Sequence, residues 1–309
     1  MTAAGAEQAA LTGDLLGIDI GGTKIAAGVV DTTGTVVRRA VCATPRTGVL
    51  DAVVSLVRSL SCDPGRIGVA APGVIDTTAG TVLSATDILP GWSGTRVRAR
   101  LEARLSAPVT VDNDVRAMAY GEAHAGAGRA HPNALYISVG TGIGGALYRD
   151  GALLRGPHAT AGEIAHLLVP AVLWLGGPCG CGRSDHLEGS ASGPAIARAY
   201  RRRSGRSLDL PVIAALMRDG DASASEVIAA AARLLGRALA GLLAAIDGTA
   251  VIVAGGVAQI GSAFLQPLAE SLRAEALPPL RRIPVLAAQL GTDAPVVGAA
   301  LRAREVVTT

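Results

Sequence analysis

Two glycine-rich turns constrain what this chain can fold into. The first is Asp19-Ile20-Gly21-Gly22-Thr23-Lys24, and the second is Gly140-Thr141-Gly142-Ile143-Gly144-Gly145. β-Branched and alternating residues flank each turn, which predicts strand, tight turn, strand. Glycines let a backbone reverse sharply and expose N–H groups that cradle phosphate oxygens. An ordinary Gly-Gly β-hairpin reads the same way, so the first turn alone leaves both meanings open. The second contains the spacing G-x-G-x-x-G, but the dinucleotide fingerprint needs a helix after the turn. Here the strand-like ALYRDGALL follows, which argues against a Rossmann site. A second phosphate-gripping hairpin fits better, and two of them around one polyphosphate make a phosphotransferase arrangement.

The chain has 309 residues, which suits two lobes of about 150 residues. Residues 1–13 read as a flexible leader. Residues 14–122 form an N-terminal lobe of strands interrupted by helices at 49–60 and 96–105. There APVTVDND is a strand running straight into the helix VRAMAYGEAHAG. Residues 123–290 form the C-terminal lobe, where the strand-turn-strand pattern restarts and helices dominate from Ala191 to Asp247. A closing helix at about 291–309 packs back on the first lobe. Two lobes that each begin with a glycine-turned hairpin suggest an internal duplication of fold.

Only 2% of residues are aromatic, so stacking on nucleic-acid bases is poorly served. The run Arg201-Arg202-Arg203 reads as the solvated end of a helix. Of 28 basic residues only Lys24 is a lysine, and it sits in the first glycine turn. Apolar stretches such as LLAAI are too short to span a bilayer. The N-terminus lacks a secretory pattern. No membrane and no nucleic acid are expected as partners, and the expected location is cytoplasmic. Cys42 and Cys62 read as buried small hydrophobes.

Three further segments carry chemistry. Asn113-Asp114 lies at a strand-to-helix junction, where a carboxylate is either a helix cap or a catalytic group. Glu163-x-x-His166 precedes Cys179-x-Cys181, His186 and Glu188. His166, Cys179, Cys181 and His186 make a plausible Cys2His2 set for tetrahedral zinc, against two chance cysteines in a glycine-rich loop.

Together these segments resemble the ROK family of bacterial glucokinases, N-acetylmannosamine kinases and related repressors. The resemblance runs from about Leu16 to Ala303. It rests on the order of DIGGTK, APGVID, LPGW, NDV, VGTGIGG, AGEIAH, CGCG, HLE and IVAGGV. It implies an α/β, actin-like (ribonuclease H-like) ATPase fold with two lobes and an interlobe cleft. It implies ATP and Mg²⁺ near Asp19, Gly21, Gly22, Thr23, Lys24, Gly140, Thr141, Gly142 and Gly144, with Gly255 and Gly256 at the adenosine end. Asn113, Asp114, Glu163, His166 and Glu188 are implied as sugar contacts, with Asp114 the catalytic base. His166, Cys179 and Cys181 are implied as ligands of a structural zinc in a sugar-pocket loop at 156–190.

The chain departs from the family pattern at three places. His186 stands where a third Cys is usual, so the expected site is Cys2His2. Arg116 stands where Asn often follows NDV. Ile88-Leu89 stands where many members place Asn, so Asp87 is a candidate replacement contact. The apolar AVLWLGG before Cys179 is a candidate subunit contact.

The expected reaction moves the γ-phosphate of ATP to the 6-hydroxyl of a hexose, glucose first, with an N-acetylated or amino sugar or a cyclitol as the alternative acceptor. A homodimer or homotetramer is expected. A sugar-responsive repressor is disfavoured, because 18 residues before Asp19 do not hold a helix-turn-helix.

Overall fold

The computed structural model describes residues 14–86, 88–170 and 175–305. The leader at 1–13, Asp87, residues 171–174 of the apolar run and the tail at 306–309 lie outside the described residues. The chain divides into two compact units. One reaches to Gly126 and resumes at Thr292; the other is Ala127–Gly291.

The first unit is built on β1 (Asp14–Ile20), β2 (Lys24–Val30), β3 (Val36–Ala43), β4 (Pro64–Ala71) and β7 (Val109–Asn113). Their order is β3-β2-β1-β4-β7. The hairpin strands β1 to β3 pair antiparallel, and β4 and β7 join in parallel. A small ribbon, β5 (Val74–Asp76) with β6 (Thr81–Ser84), branches off after β4. Helices α1 (Val49–Ser59), α2 (Val97–Leu105), α3 (Asp114–Ala125) and α9 (Ala294–Glu305) complete the unit.

Side chains alternate across a strand, so each strand here has two different duties. Leu16, Ile18 and Ile20 of β1 join Ile67 and Val69 of β4 and Val109 and Val111 of β7 in a core with α1 and α2. The opposite face carries almost no side chain. Gly17 pairs with Gly28 on one side and with Gly68 on the other. These three glycines form a row across β2, β1 and β4, and α9 lies on it. A β-carbon at Gly17 would sit 1.9 Å from the Val296 carbonyl oxygen, and one at Gly68 1.8 Å from that of Ala299. Helix α3 meets α9 just as closely: a β-carbon at Gly298 would come within 1.7 Å of the Ala117 oxygen. Glycine inside a strand marks such an approach of another backbone.

The second unit repeats the plan. Strands β8 (Ala134–Val139), β9 (Ile143–Arg149), β10 (Ala152–Leu154), β11 (Ala250–Ala254) and β12 (Val285–Ala287) stand in the order β10-β9-β8-β11-β12. That is the same third-second-first-fourth-fifth order as in the first unit, with the same mixture of antiparallel and parallel pairs. Helices α4 (Leu187–Ala191), α5 (Gly193–Ser204), α6 (Leu210–Arg218), α7 (Ala222–Ile246) and α8 (Ser262–Glu275) belong to this unit.

Some sequence expectations need correction. Helix α7 is long and apolar enough to cross a membrane by length and composition, so the apolar stretches are not all short. Its Val227, Ile228, Leu235, Leu239 and Leu243 are buried in the core of the second unit, which accounts for its apolarity. Cys42 and Cys62 are half-buried and pack at the margin of the first core rather than inside it. Leu175, at the described end of the apolar run, is buried in the second core.

The glycine row yields a stability test. Gly68→Ala drives a methyl group into the α9 backbone and is expected to cost about 3 kcal/mol or more, at the upper end of overpacking costs. Gly241→Ala is the control, because its β-carbon meets open space on helix α7 and is expected to gain about 0.5–1 kcal/mol. Denaturant midpoints of the two variants check both signs.

Candidate functional site

In the first unit the site begins where the glycine-lined face ends. One step along from the glycine row, Asp19 of β1 stands in register with Ala70 of β4, which in turn pairs with Asp112 of β7. The turn after Asp19 is closed by the Gly21 N–H donating to the Lys24 carbonyl at 3.0 Å. The Thr44 hydroxyl donates to the Gly21 carbonyl at 2.7 Å and braces the turn from the side. Gly22, Thr23 and Lys24 are exposed. Ile88 leans on the turn, since a β-carbon at Gly22 would meet its Cγ2 at 2.3 Å.

Helix α3 starts at Asp114, and its N-cap is Asn113. The Asn113 Oδ1 accepts from the N–H of Val115 at 3.0 Å and of Arg116 at 3.1 Å. Its Nδ2 donates to the Gly73 carbonyl at 3.1 Å and to Asp114 Oδ1 at 2.9 Å. That engages two acceptor and two donor positions of the amide, and it fixes which way the amide faces. The N-cap is therefore Asn113; Asp114 Oδ1 shares the Val115 N–H at 2.9 Å and is oriented by the Asn113 amide. The sugar contact expected at Asn113 falls on an amide that makes four hydrogen bonds within the protein.

The Gly73 carbonyl is itself held in place. Trp92 Nε1 donates to the Pro72 carbonyl at 3.1 Å, and Gly73 has φ of 101°, a left-handed conformation that favours glycine. Trp92 and the Pro72-Gly73 turn thus position Asn113, which positions Asp114. Sequence reasoning noted the APG and PGW segments but gave them no role.

Behind this junction lies a charge that the sequence marked only as a departure. Arg116 is 1% exposed, among the largest fully buried side chains. Its Nη1 lies 3.5 Å from Oδ1 of Asp112, four residues back on β7. Asp112 Oδ1 also accepts from the Asn113 N–H at 2.9 Å. Burial pushes the Asp19 carboxyl up to about 7; the charge of Asp114 pushes the same way and that of Lys24 opposes it. Crowded acids of this kind suit a site that receives a cation.

The second unit holds the other glycine turn. The Gly140 N–H donates to the Gly142 carbonyl at 2.8 Å. Gly255, at φ 91°, follows β11 beside this turn; its β-carbon would strike the Val139 oxygen at 2.3 Å. A β-carbon at Gly140 would lie 4.0 Å from the Gly256 nitrogen, so both glycine segments form one small-residue floor. Thr141 is exposed and Gly144 half-buried.

Glu163 caps the 3-10 turn Ile164–His166, which rests on β9 through a glycine-to-glycine contact: a β-carbon at Gly145 would meet the Gly162 oxygen at 2.7 Å. His166, Cys179, Cys181 and His186 come together, their ligand atoms all within 4.8 Å of one another. The two Nδ1 atoms are 3.2 Å apart, and Cys181 Sγ is 3.3 Å from His186 Nδ1. Tetrahedral zinc with Zn–N of about 2.0–2.1 Å and Zn–S of about 2.3 Å sets its ligand atoms roughly 3.3–3.8 Å apart. The donor set and its spacing fit that ion. His166 turns Nδ1 to the cluster, which leaves Nε2 on the far edge of the ring. Burial pushes the Cys179 thiol up to about 12, so metal binding has to displace its proton.

Residues 15–306 match the model of the ROK family. The chain belongs to the ROK family. It is 34% identical to a glucokinase of Streptomyces coelicolor, covering 94% of this chain and 97% of the relative. It is also 34% identical to an N-acetyl-D-glucosamine kinase of Salmonella paratyphi B, covering 92% and 97%. Its structure is similar to that of a ROK family glucokinase from Streptomyces griseus in complex with glucose and AMPPNP. The TM-score is 0.84 at 36% identity, covering 95% of this chain and all of the other. The ROK chain has the α/β, actin-like ATPase fold.

Two tests follow from these charges. The Asp19 carboxyl moves from 3.8 to about 7, so between those values the folded chain holds a proton that the unfolded chain has lost. Stability is therefore expected to fall as pH rises from about 4 to 7, by up to ~4 kcal/mol, and Asp19→Asn is expected to flatten that slope in melts without nucleotide or metal. Arg116→Met strands the Asp112 charge and is expected to cost ~3 kcal/mol, whereas Arg116→Met with Asp112→Leu is expected to cost far less in denaturant unfolding.

Proposed function

We propose that this protein is an ATP-dependent sugar kinase that transfers the γ-phosphoryl group to the 6-hydroxyl of a hexose, with glucose as the acceptor. The observation that carries the reading is the Asn113–Asp114 junction: a carboxylate at a helix start whose Oδ1 is fixed by the Asn113 amide and the Val115 N–H. A carboxylate held this way is suited to receive a proton. Asp114 accepts the hydroxyl proton as the sugar oxygen attacks the γ-phosphorus. Asn113 orients Asp114, and Glu163, His166 through Nε2 and Glu188 contact sugar hydroxyls.

The N–H groups of Gly21 to Thr23 and of Gly140 to Gly144 grip phosphate oxygens, with Lys24 as a nearby charge. Gly255 and Gly256 border the adenosine end. Asp19 holds Mg²⁺, which when bound neutralises charge on the phosphates. Most of such catalysis is positioning and electrostatics. His166, Cys179, Cys181 and His186 hold a structural zinc ion. The enzyme is assigned to the cytoplasm as a homodimer or homotetramer, and none of its four cysteines is in a disulfide.

An N-acetylated amino sugar is the second reading. It is favoured by the equal identity of this chain to a glucokinase and to an N-acetyl-D-glucosamine kinase. A coupled ADP-release assay across glucose, N-acetylglucosamine, N-acetylmannosamine, mannose and fructose separates the two. Glucose is expected to give the highest kcat/KM. Asp114→Asn is expected to lower kcat by about 10²–10⁴ while sugar still binds. Near-normal turnover in that variant overturns the assignment of the base.

A further inference from the structure

We propose that Glu188 and the short helix α4 couple the Cys/His cluster to the nucleotide turn of the second unit, so that zinc and nucleotide tighten each other's binding. The inference rests on the reading of Gly140–Gly144 as a phosphate-gripping turn.

The coupling element is five residues long. Its N-cap, His186, is a member of the metal cluster. Two residues on, Glu188 spreads its carboxylate between two backbones. Oε1 accepts from the Gly180 N–H at 2.8 Å, midway between the two cysteines, and from the Cys179 thiol at 3.2 Å, a bond that zinc replaces when it takes the sulfur. Oε2 accepts from the Ile143 N–H at 3.1 Å, at the exit of the glycine turn. The turn closes tightly on this carboxylate, since a β-carbon at Gly142 would lie 2.6 Å from Oε2. After α4 ends, the Gly193 N–H donates to the Gly140 carbonyl at 2.8 Å. The turn is thus braced at its entry by Gly193 and at its exit by Glu188, both carried by the segment that His186 starts.

A charge-assisted hydrogen bond from carboxylate to N–H is strong and directional. With zinc seated, the Cys179–Cys181 loop is ordered, Gly180 holds Oε1, and Oε2 is held against Ile143. The turn then presents its remaining N–H groups in one geometry. When the cluster empties, the Cys179–Cys181 loop loses its anchor, Gly180 holds the carboxylate less firmly, and ordering the turn becomes part of the cost of nucleotide binding. The sign of the coupling is positive, and linkage makes it reciprocal. Glu188 is in this respect a positioning residue.

The test is the dissociation constant of AMPPNP for the full chain without sugar, by titration calorimetry, with zinc bound and after chelation, with circular dichroism confirming the fold. The wild type is expected to bind AMPPNP about 5-fold or more tightly with zinc, and to bind zinc more tightly by the same factor when AMPPNP is present. In Glu188→Gln one carboxylate oxygen becomes an NH₂ that faces an N–H donor, and the ratio is expected to fall to about 1. Glu270→Gln, exposed on α8, is expected to keep the wild-type ratio. If Glu188→Gln does not fold, Gly142→Ala displaces Oε2 without altering the carboxylate and is expected to abolish the ratio in the same way. A wild-type ratio of 1, or a Glu188→Gln ratio equal to wild type, overturns the coupling while leaving the kinase reading intact. Absence of AMPPNP binding in both zinc states overturns the kinase reading and the coupling together.

Discussion

The first unit depends on a row of missing side chains. Gly28, Gly17 and Gly68 stand abreast on β2, β1 and β4, and helix α9 lies directly on their backbones. A dense interior transmits any displacement. Helix α3 is pressed on α9 through Gly298, so its height over the sheet follows from the same contact. Asp19 is two residues beyond Gly17 on the same face of β1. The Asn113–Asp114 junction is the first point of α3. The spacing between these carboxylates is therefore inherited from how closely three glycines let a helix approach.

Charge is handled differently in front of that junction and behind it. Behind it, Arg116 is sealed from water and answers Asp112, whose carboxylate also holds the Asn113 N–H. In front, burial and the charge of Asp114 raise the cost of ionising Asp19, and Lys24 offsets only part of it. The buried pair is satisfied within the protein, whereas Asp19 is short of positive charge. A site with this imbalance favours a polyanion only when the polyanion brings its own cations.

Much of this was legible in the sequence. The two hairpins, the strand running into a helix at Asn113 and the metal cluster all have short-range signatures of alternation, glycine turns and ligand spacing. What stayed hidden depends on register. Gly17, Gly28 and Gly68 each look like a weak spot in a strand, and only pairing makes them a row. The choice between Asn113 and Asp114 as the cap turns on side-chain rotation, which neighbouring letters do not encode. Glu188 was read as a sugar contact from resemblance, and its backbone partners, Gly180 and Ile143, lie 8 and 45 residues away in the sequence. The apolar length of α7 was missed because alanines and glycines dilute its leucines.

Helix α9 has one more consequence, for the order in which the protein is made. The sheet of the first unit emerges from the ribosome early, but the glycine row stays uncovered until residues 294–305 have been synthesised. The second unit, continuous from Ala127 to Gly291, is complete before then. Domains generally fold as units during synthesis, so the first unit, unlike the second, needs segments from both sides of its neighbour before it can finish. The half that carries Asp114 waits, with a bare strip of backbone, for the last helix to close it.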